Sequence, residues 1–199
     1  MVALGDPGSF ARFEAVLFDC DGTLADTHPA HHLSLAATLA PFGVDVSREW
    51  YAGYTGTSTP ETIRAALAGQ QAALDDELVG RLVGECGERY LDHLAAVTEI
   101  APVTALARQL TGRLPLAVAS GGTRRTVEAT LRHLELDGLF TRVVTRDEVE
   151  RGKPAPDIFL LAARQLGVAP AACVVLEDAD SGLLAARRAG MAAVDVRGR

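Results

Sequence analysis

The chain has 199 residues, with 48% hydrophobic and 23% charged side chains. Against a usual domain size of roughly 150 residues this is one generous domain or a core with an insertion, and its apolar content excludes disorder, collagen and coiled coil. Nineteen Lys plus Arg against 26 Asp plus Glu give a formal charge of -7, so no positive field favours a polyanion and no nucleic-acid partner is expected.

The opening MVALGDPGSF has neither the basic nor the apolar region of a signal peptide, and Gly5 to Gly8 reads as a frayed end. The sequence contains no apolar run of ~18 residues to span a bilayer, so a soluble cytoplasmic protein without a membrane partner is expected. EAVLF at 14–18 is a short, β-branched-containing apolar run without polar alternation, the pattern of a parallel strand covered on both faces. Asp19-Cys-Asp21-Gly-Thr23 follows it. From 29 to 101 only helix-like patterns appear, among them HLSLAATLAPF, TPETIRAALAG and DDELVGRLVGECGERYLDHLAA, and no strand is expected there. An all-helical insertion of that size predicts a cap domain over 29–101, set into a core made of 10–28 and 102–199. Within it Trp50, Tyr51 and Tyr54 read as helix-packing aromatics, with a face toward substrate as the alternative.

A second strand, PLAVA at 115–119, runs into Ser120-Gly121-Gly122; TRRTVEATLRHLEL then places Val127, Leu131 and Leu134 on one helix face. TRVVT at 141–145 is the third strand, followed by Arg151-Gly-Lys153-Pro. A helix from Pro156 stops at Gly167, and ACVVL at 172–176 leads into Glu177-Asp178. The stretch from Asp180 to Gly190 has an acidic start, a basic last turn and a glycine stop, and MAAVDV at 191–196 is the last strand. Strands alternating with helices predict βαβ units in an α/β fold: a Rossmann-like, doubly wound, mostly parallel sheet. Cys20, Cys86 and Cys173 are odd in number and widely spaced, which points to buried reduced thiols rather than a disulfide framework or a zinc site.

Ligands of open α/β sheets bind beyond the carboxyl ends of the strands. Those ends offer four acids, Asp19, Asp21, Glu177 and Asp178, with one ammonium, Lys153, the hydroxyls of Thr23 and Ser120, and the Gly121 and Gly122 amides. Four carboxylates around one lysine repel one another unless several share a hard divalent cation. An oxygen-only donor set favours Mg²⁺ over zinc, and ammonium, hydroxyl and amide groups suit phosphoryl oxygens. The edge therefore reads as a phosphoryl-transfer site. Glycine is missing from the positions that a calcium loop or a Walker phosphate loop would need around Asp19 and Lys153.

These four segments, in this order, resemble the four motifs of the haloacid dehalogenase superfamily over almost the whole chain, in the branch of the β-phosphoglucomutases and phosphoglycolate phosphatases with a helical cap. The resemblance implies that Asp19 attacks phosphorus to form an aspartyl-phosphate and that Asp21 protonates the leaving oxygen, then deprotonates the attacking water. It further implies Mg²⁺ bound by Asp19, the Asp21 carbonyl and Asp178, with Glu177 nearby, and a phosphoryl group held by Thr23, Ser120, Gly121 and Lys153. Dehalogenating and phosphonate-cleaving members lack the second acid, so Asp21 points to hydrolysis of phosphate esters. His31 and Arg125 are open to two readings each, as substrate contacts or as structural and solvated groups. The stretch from Glu177 to Met191 is similar to phosphatases of fructose 1-phosphate and 6-phosphogluconate, so a small sugar-phosphate ester is the expected partner of a monomer or weak homodimer. Two alternatives stand beside that reading. A sugar-phosphate mutase needs a clamp for a second phosphate, and Thr59 stands where mutase-type members carry an arginine; a non-catalytic phosphate-ligand binder would not need the Asp19/Asp21 pair.

Overall fold

The computed structural model describes residues 6–54, 57–69 and 74–197. The chain divides into two compact units, one containing the described residues through Asp26 and from Thr98 on, the other Thr27–Val97.

The first unit is built on a five-stranded, wholly parallel sheet. Its strands are β1 (Ala15–Phe18), β4 (Leu116–Ser120), β5 (Arg142–Thr145), β6 (Cys173–Glu177) and β7 (Ala192–Asp195), in the spatial order β5-β4-β1-β6-β7. The alternating directions of successive residues explain the unbroken apolar runs. Val16, Phe18, Leu116, Val118, Val174 and Leu176 pack on one face, under helices α5 (Ala101–Leu110) and α6 (Arg124–His133). Ala15, Leu17, Ala117, Ala119 and Val175 pack on the other, under α7 (Asp157–Leu166) and α8 (Asp180–Arg188). Both faces are dry, which is what a parallel sheet with right-handed crossovers requires. The α7 helix ends because Gly167 adopts a left-handed φ of 71°, where its N–H caps the carbonyls of Ala163 and Arg164.

Between β1 and β4 the chain forms β2 (Ala25–Asp26), runs through the second unit, and comes back as β3 (Thr98–Glu99), antiparallel to β2. The expectation of no strand within 29–101 is therefore corrected at its end: Thr98-Glu99 pairs with Ala25-Asp26, and two residues are too few to carry a period-2 signature. The helix α5 was also not assigned from the sequence, although Val103, Leu106, Ala107 and Leu110 line its buried side. The N-terminus needs a third correction. Gly5 lies outside the described residues, but Pro7–Phe10 form a 3₁₀ turn capped by Asp6, and the ring of Phe10 is fully buried.

The second unit consists of α1 (His28–Leu39), α2 (Arg48–Ala52), α3 (Thr59–Leu67) and α4 (Asp76–Asp92), with α1 and α3 packed on α4. Its core joins Leu35, Leu39, Ile63, Leu67, Val79 and Leu82, and Trp50 and Tyr51 rest against it. Cys20, Cys86 and Cys173 are buried free thiols. Among the described residues, no helix is long and apolar enough to cross a membrane.

Candidate active site

The site is assembled at the carboxyl ends of the three central strands. Asp19 follows β1 directly, and its N–H still donates to Leu176 O of the neighbouring strand at 3.0 Å, so the sheet itself sets its position. The next residues turn sharply: the N–H groups of Thr23, Leu24 and Ala25 all donate to Cys20 O, and Gly22 sits at φ 83°. Only glycine adopts that conformation without strain. A Cβ on Gly22 would also overlap the Asp178 carboxylate, lying 2.7 Å from its Cγ. Gly22 therefore supplies both the turn and the room that lets the acid after β6 approach the loop after β1.

Lys153, in the loop before α7, donates from Nζ to Asp19 Oδ1 and to Glu177 Oε2, each at 2.6 Å. All three side chains are nearly inaccessible, with Asp19 5% and Glu177 1% exposed and the lysine side chain 11%. The loop carrying Lys153 is braced by Arg188, which donates to Pro154 O at 2.9 Å. The other oxygen of Glu177 accepts from the Ala179 N–H at 3.1 Å. Thr23 donates to Asp178 Oδ1 at 3.0 Å, and Ser120 donates to Asp21 Oδ2 at 3.2 Å while its own Oγ accepts from the Gly122 N–H. The glycine turn after β4 is tied to the segment after β5: Arg146 N–H donates to Gly122 O, Arg124 N–H donates to Asp147, and the Arg124 guanidinium pairs with Glu148 at 2.6 Å.

The electrostatics follow from this packing. Burial pushes the Asp19 carboxyl well up, and the charges of Glu177 and Asp21 push the same way against the opposing Lys153. Burial raises Asp178 too, with Glu177 adding to it and the Thr23 hydrogen bond opposing. For Lys153, burial alone would favour the neutral amine, but the two carboxylates outweigh it and hold its pKa above the ordinary lysine value. The Lys153 ammonium thus neighbours three acids, Asp19, Glu177 and Asp178, which bring ligand oxygens within 4.8 Å of one another. Oxygen donors at that spacing, carrying surplus negative charge in a desolvated pocket, fit a hard divalent ion such as Mg²⁺. Glu177 has both oxygens committed to protein donors, which leaves Asp19 and Asp178 as the more available carboxylates.

Of the residues singled out from the sequence, Asp19, Thr23, Lys153, Glu177 and Asp178 are joined by these bonds and distances, and Ser120 is bonded to Asp21, whose charge acts on Asp19. Gly121 lies on the exposed turn just after β4, with open space where a Cβ would sit. Arg125 is exposed in the first turn of α6, and its neighbour Arg124 is occupied by Glu128, Glu148 and Val143 O. His31 belongs to the helical unit, where its ring stacks on Tyr90 with centroids 4.5 Å apart. Thr59, at the position of the mutase arginine, is the exposed first residue of α3. The spacing function of Gly22 was missed, because a glycine's role in making room is invisible until the side chain filling that room is known.

A family model for haloacid dehalogenase-like hydrolases matches residues 13–190. The chain is 39% identical over 188 residues to the fructose-1-phosphate phosphatase YqaB of Escherichia coli, covering 94% of this chain and 98% of that protein. It is 34% identical to hexitol phosphatase A of the same organism, covering 90% and 81% respectively. Among solved structures, CbbY of Rhodobacter sphaeroides, crystallised with phosphate, matches with a TM-score of 0.78 at 33% identity, covering 94% of this chain and 87% of that one. The chain belongs to the haloacid dehalogenase-like hydrolase family and is an enzyme of its phosphatase type.

Proposed function

We propose that the enzyme hydrolyses a small phosphate monoester, a sugar phosphate by class, with Mg²⁺ as cofactor and Asp19 as the nucleophile. The observation that carries this reading is the Lys153 ammonium held at 2.6 Å from both Asp19 and Glu177, with Asp178 beside them. A buried carboxylate oriented by a fixed cation is an aimed nucleophile, and aiming is where most of the barrier reduction in phosphoryl transfer originates. Bound by Asp19, Asp178 and the Asp21 carbonyl, Mg²⁺ would neutralise charge on the transferring phosphoryl group.

In the first half-reaction an Asp19 oxygen bonds to phosphorus as the ester P–O bond breaks, and Asp21 gives its proton to the departing alkoxide. In the second, Asp21 takes a proton from water, whose oxygen displaces Asp19 and releases inorganic phosphate. The Ser120 hydrogen bond supports this division of labour, since it holds Asp21 at the site before substrate arrives, and the same hydroxyl turns to a phosphoryl oxygen once one is bound. Thr23, Ser120, Lys153 and the Gly121 amide are the groups proposed to hold phosphoryl oxygens. The sugar-phosphate class is supported by the phosphatase relatives, and Thr59, in place of an arginine clamp, favours hydrolysis over a mutase reaction.

The test is a phosphate-release screen over hexose phosphates, hexitol phosphates, phosphoglycolate and nucleotides, with and without Mg²⁺ and with Asp19→Asn as blank. Release from sugar phosphates that needs both Mg²⁺ and Asp19 is the expected result. Conversion of β-glucose 1-phosphate to another sugar phosphate without free phosphate would replace the proposal with the mutase reading.

A further inference from the structure

We infer that Gly182 is a positioning residue of this site, acting through Glu177 on Lys153; the inference rests on the phosphatase reading above for its catalytic consequence but not for its packing basis. Gly182 lies in the first turn of α8, two residues past Asp180, and is buried. A Cβ built there would overlap the Glu177 carboxylate and lie 2.5 Å from Glu177 Cγ. No flexible chain end could swing aside to relieve that overlap, because both Glu177 oxygens are bonded, one to Lys153 at 2.6 Å and one to the Ala179 N–H. Gly182 therefore leaves a slot in the first helical turn, and the carboxylate that ends β6 fills it.

The consequence runs outward from the slot. Glu177 is 1% exposed, so displacing its carboxylate would cost the lysine one of two buried counter-charges. The ammonium would then keep Asp19 as its carboxylate partner, with the Phe159 ring centroid 5.0 Å away, and the direction in which it presents Asp19 would no longer be fixed by carboxylates on two sides. Intrinsic helix preference argues for alanine over glycine at this position. The glycine is therefore explained by what it makes room for, not by the helix it sits in.

The experiment is a double-mutant cycle of Gly182→Ala and Glu177→Ala, read by melting temperature in EDTA and by Mg²⁺-dependent hydrolysis of p-nitrophenyl phosphate. Gly182→Ala alone is expected to melt about 5 °C lower and to lose kcat by about 10²-fold. In the Glu177→Ala background, where the slot has been emptied, the same substitution should leave the melting temperature equal or higher and change residual kcat by less than about twofold. Equal losses in both backgrounds, or a Gly182→Ala enzyme that melts higher and keeps full activity, would overturn the inference. If Gly182→Ala alone does not fold, the double variant still decides it, since it must then fold at least as well as Glu177→Ala. Should the wild type release no phosphate from any ester, the phosphatase reading fails while the melting cycle still judges Gly182.

Discussion

Replacing Lys153 by methionine keeps most of the side-chain volume and removes the cation that bridges Asp19 and Glu177. The wild-type ammonium lies 2.6 Å from each carboxylate, in a pocket where the two acids are 5% and 1% exposed. Without it, two carboxylates face each other with oxygens no more than 4.8 Å apart, a repulsion of about 3.5 kcal/mol at an effective dielectric of ~20. Breaking a buried ion pair from one side costs about 3–5 kcal/mol by experience with other proteins, so the two routes agree. The loss is a large share of a typical stability of about 5–15 kcal/mol. Urea unfolding in EDTA at pH 8 and at pH 5.5 measures it, and the pH dependence adds a signature. Burial already raises the Asp19 carboxyl, and removal of the lysine raises it further. A group whose folded pKa lies above its unfolded one stabilises the fold while it can bind a proton and loses that contribution as pH rises. The Lys153→Met penalty should therefore shrink at pH 5.5. A loss below about 1 kcal/mol at pH 8, or a penalty that grows on acidification, would refute the electrostatic account of this pocket.

Two further substitutions probe other parts of the core unit. Gly22→Ala forces a side chain into a left-handed backbone and against Asp178, so the Mg²⁺ concentration for half-maximal activity should rise about tenfold or more; an unchanged Mg²⁺ titration would separate Asp178 from the metal. Glu99→Gln tests the bidentate Arg108 pair, with N–O distances of 2.7 and 2.8 Å, that holds the Glu99 carboxyl below its usual range, with Thr104 assisting. Both partners are partly exposed, so the loss at pH 7 should be no more than about 1 kcal/mol. Because the folded pKa is lowered, that stabilisation exists above the unfolded carboxylate range and fades as pH falls through the folded value. Wild type and variant should therefore draw together in thermal melts as the pH falls below the ordinary carboxylate range, and a gap that does not narrow on acidification would contradict the ion pair.

The amino-acid sequence alone marked the five strands of the parallel sheet, the helices α6, α7 and α8 that cover it, and the reactive groups placed at its edge, because each rests on a local rule. An apolar run without alternation marks a strand buried on both faces, and a strand's carboxyl end is where a ligand approaches. Asp19, Ser120, Lys153 and Glu177 could be named from that pairing of pattern with chemistry. Local rules ended where pairing became non-local. The β2–β3 ladder joins Ala25-Asp26 to Thr98-Glu99 across more than 70 positions, in strands of two residues each, and nothing in either dipeptide announces its partner. The strand order was equally hidden, yet setting β1 between β4 and β6 is what brings Asp19 within reach of Glu177 and lets Ser120 reach Asp21. Only the tertiary structure decided that Lys153 bridges two acids, and that Gly22 and Gly182 are empty spaces occupied by Asp178 and Glu177. Periodicity is written into neighbouring residues by covalent geometry, whereas occupancy of a shared volume depends on segments far apart in the chain meeting at atomic distance.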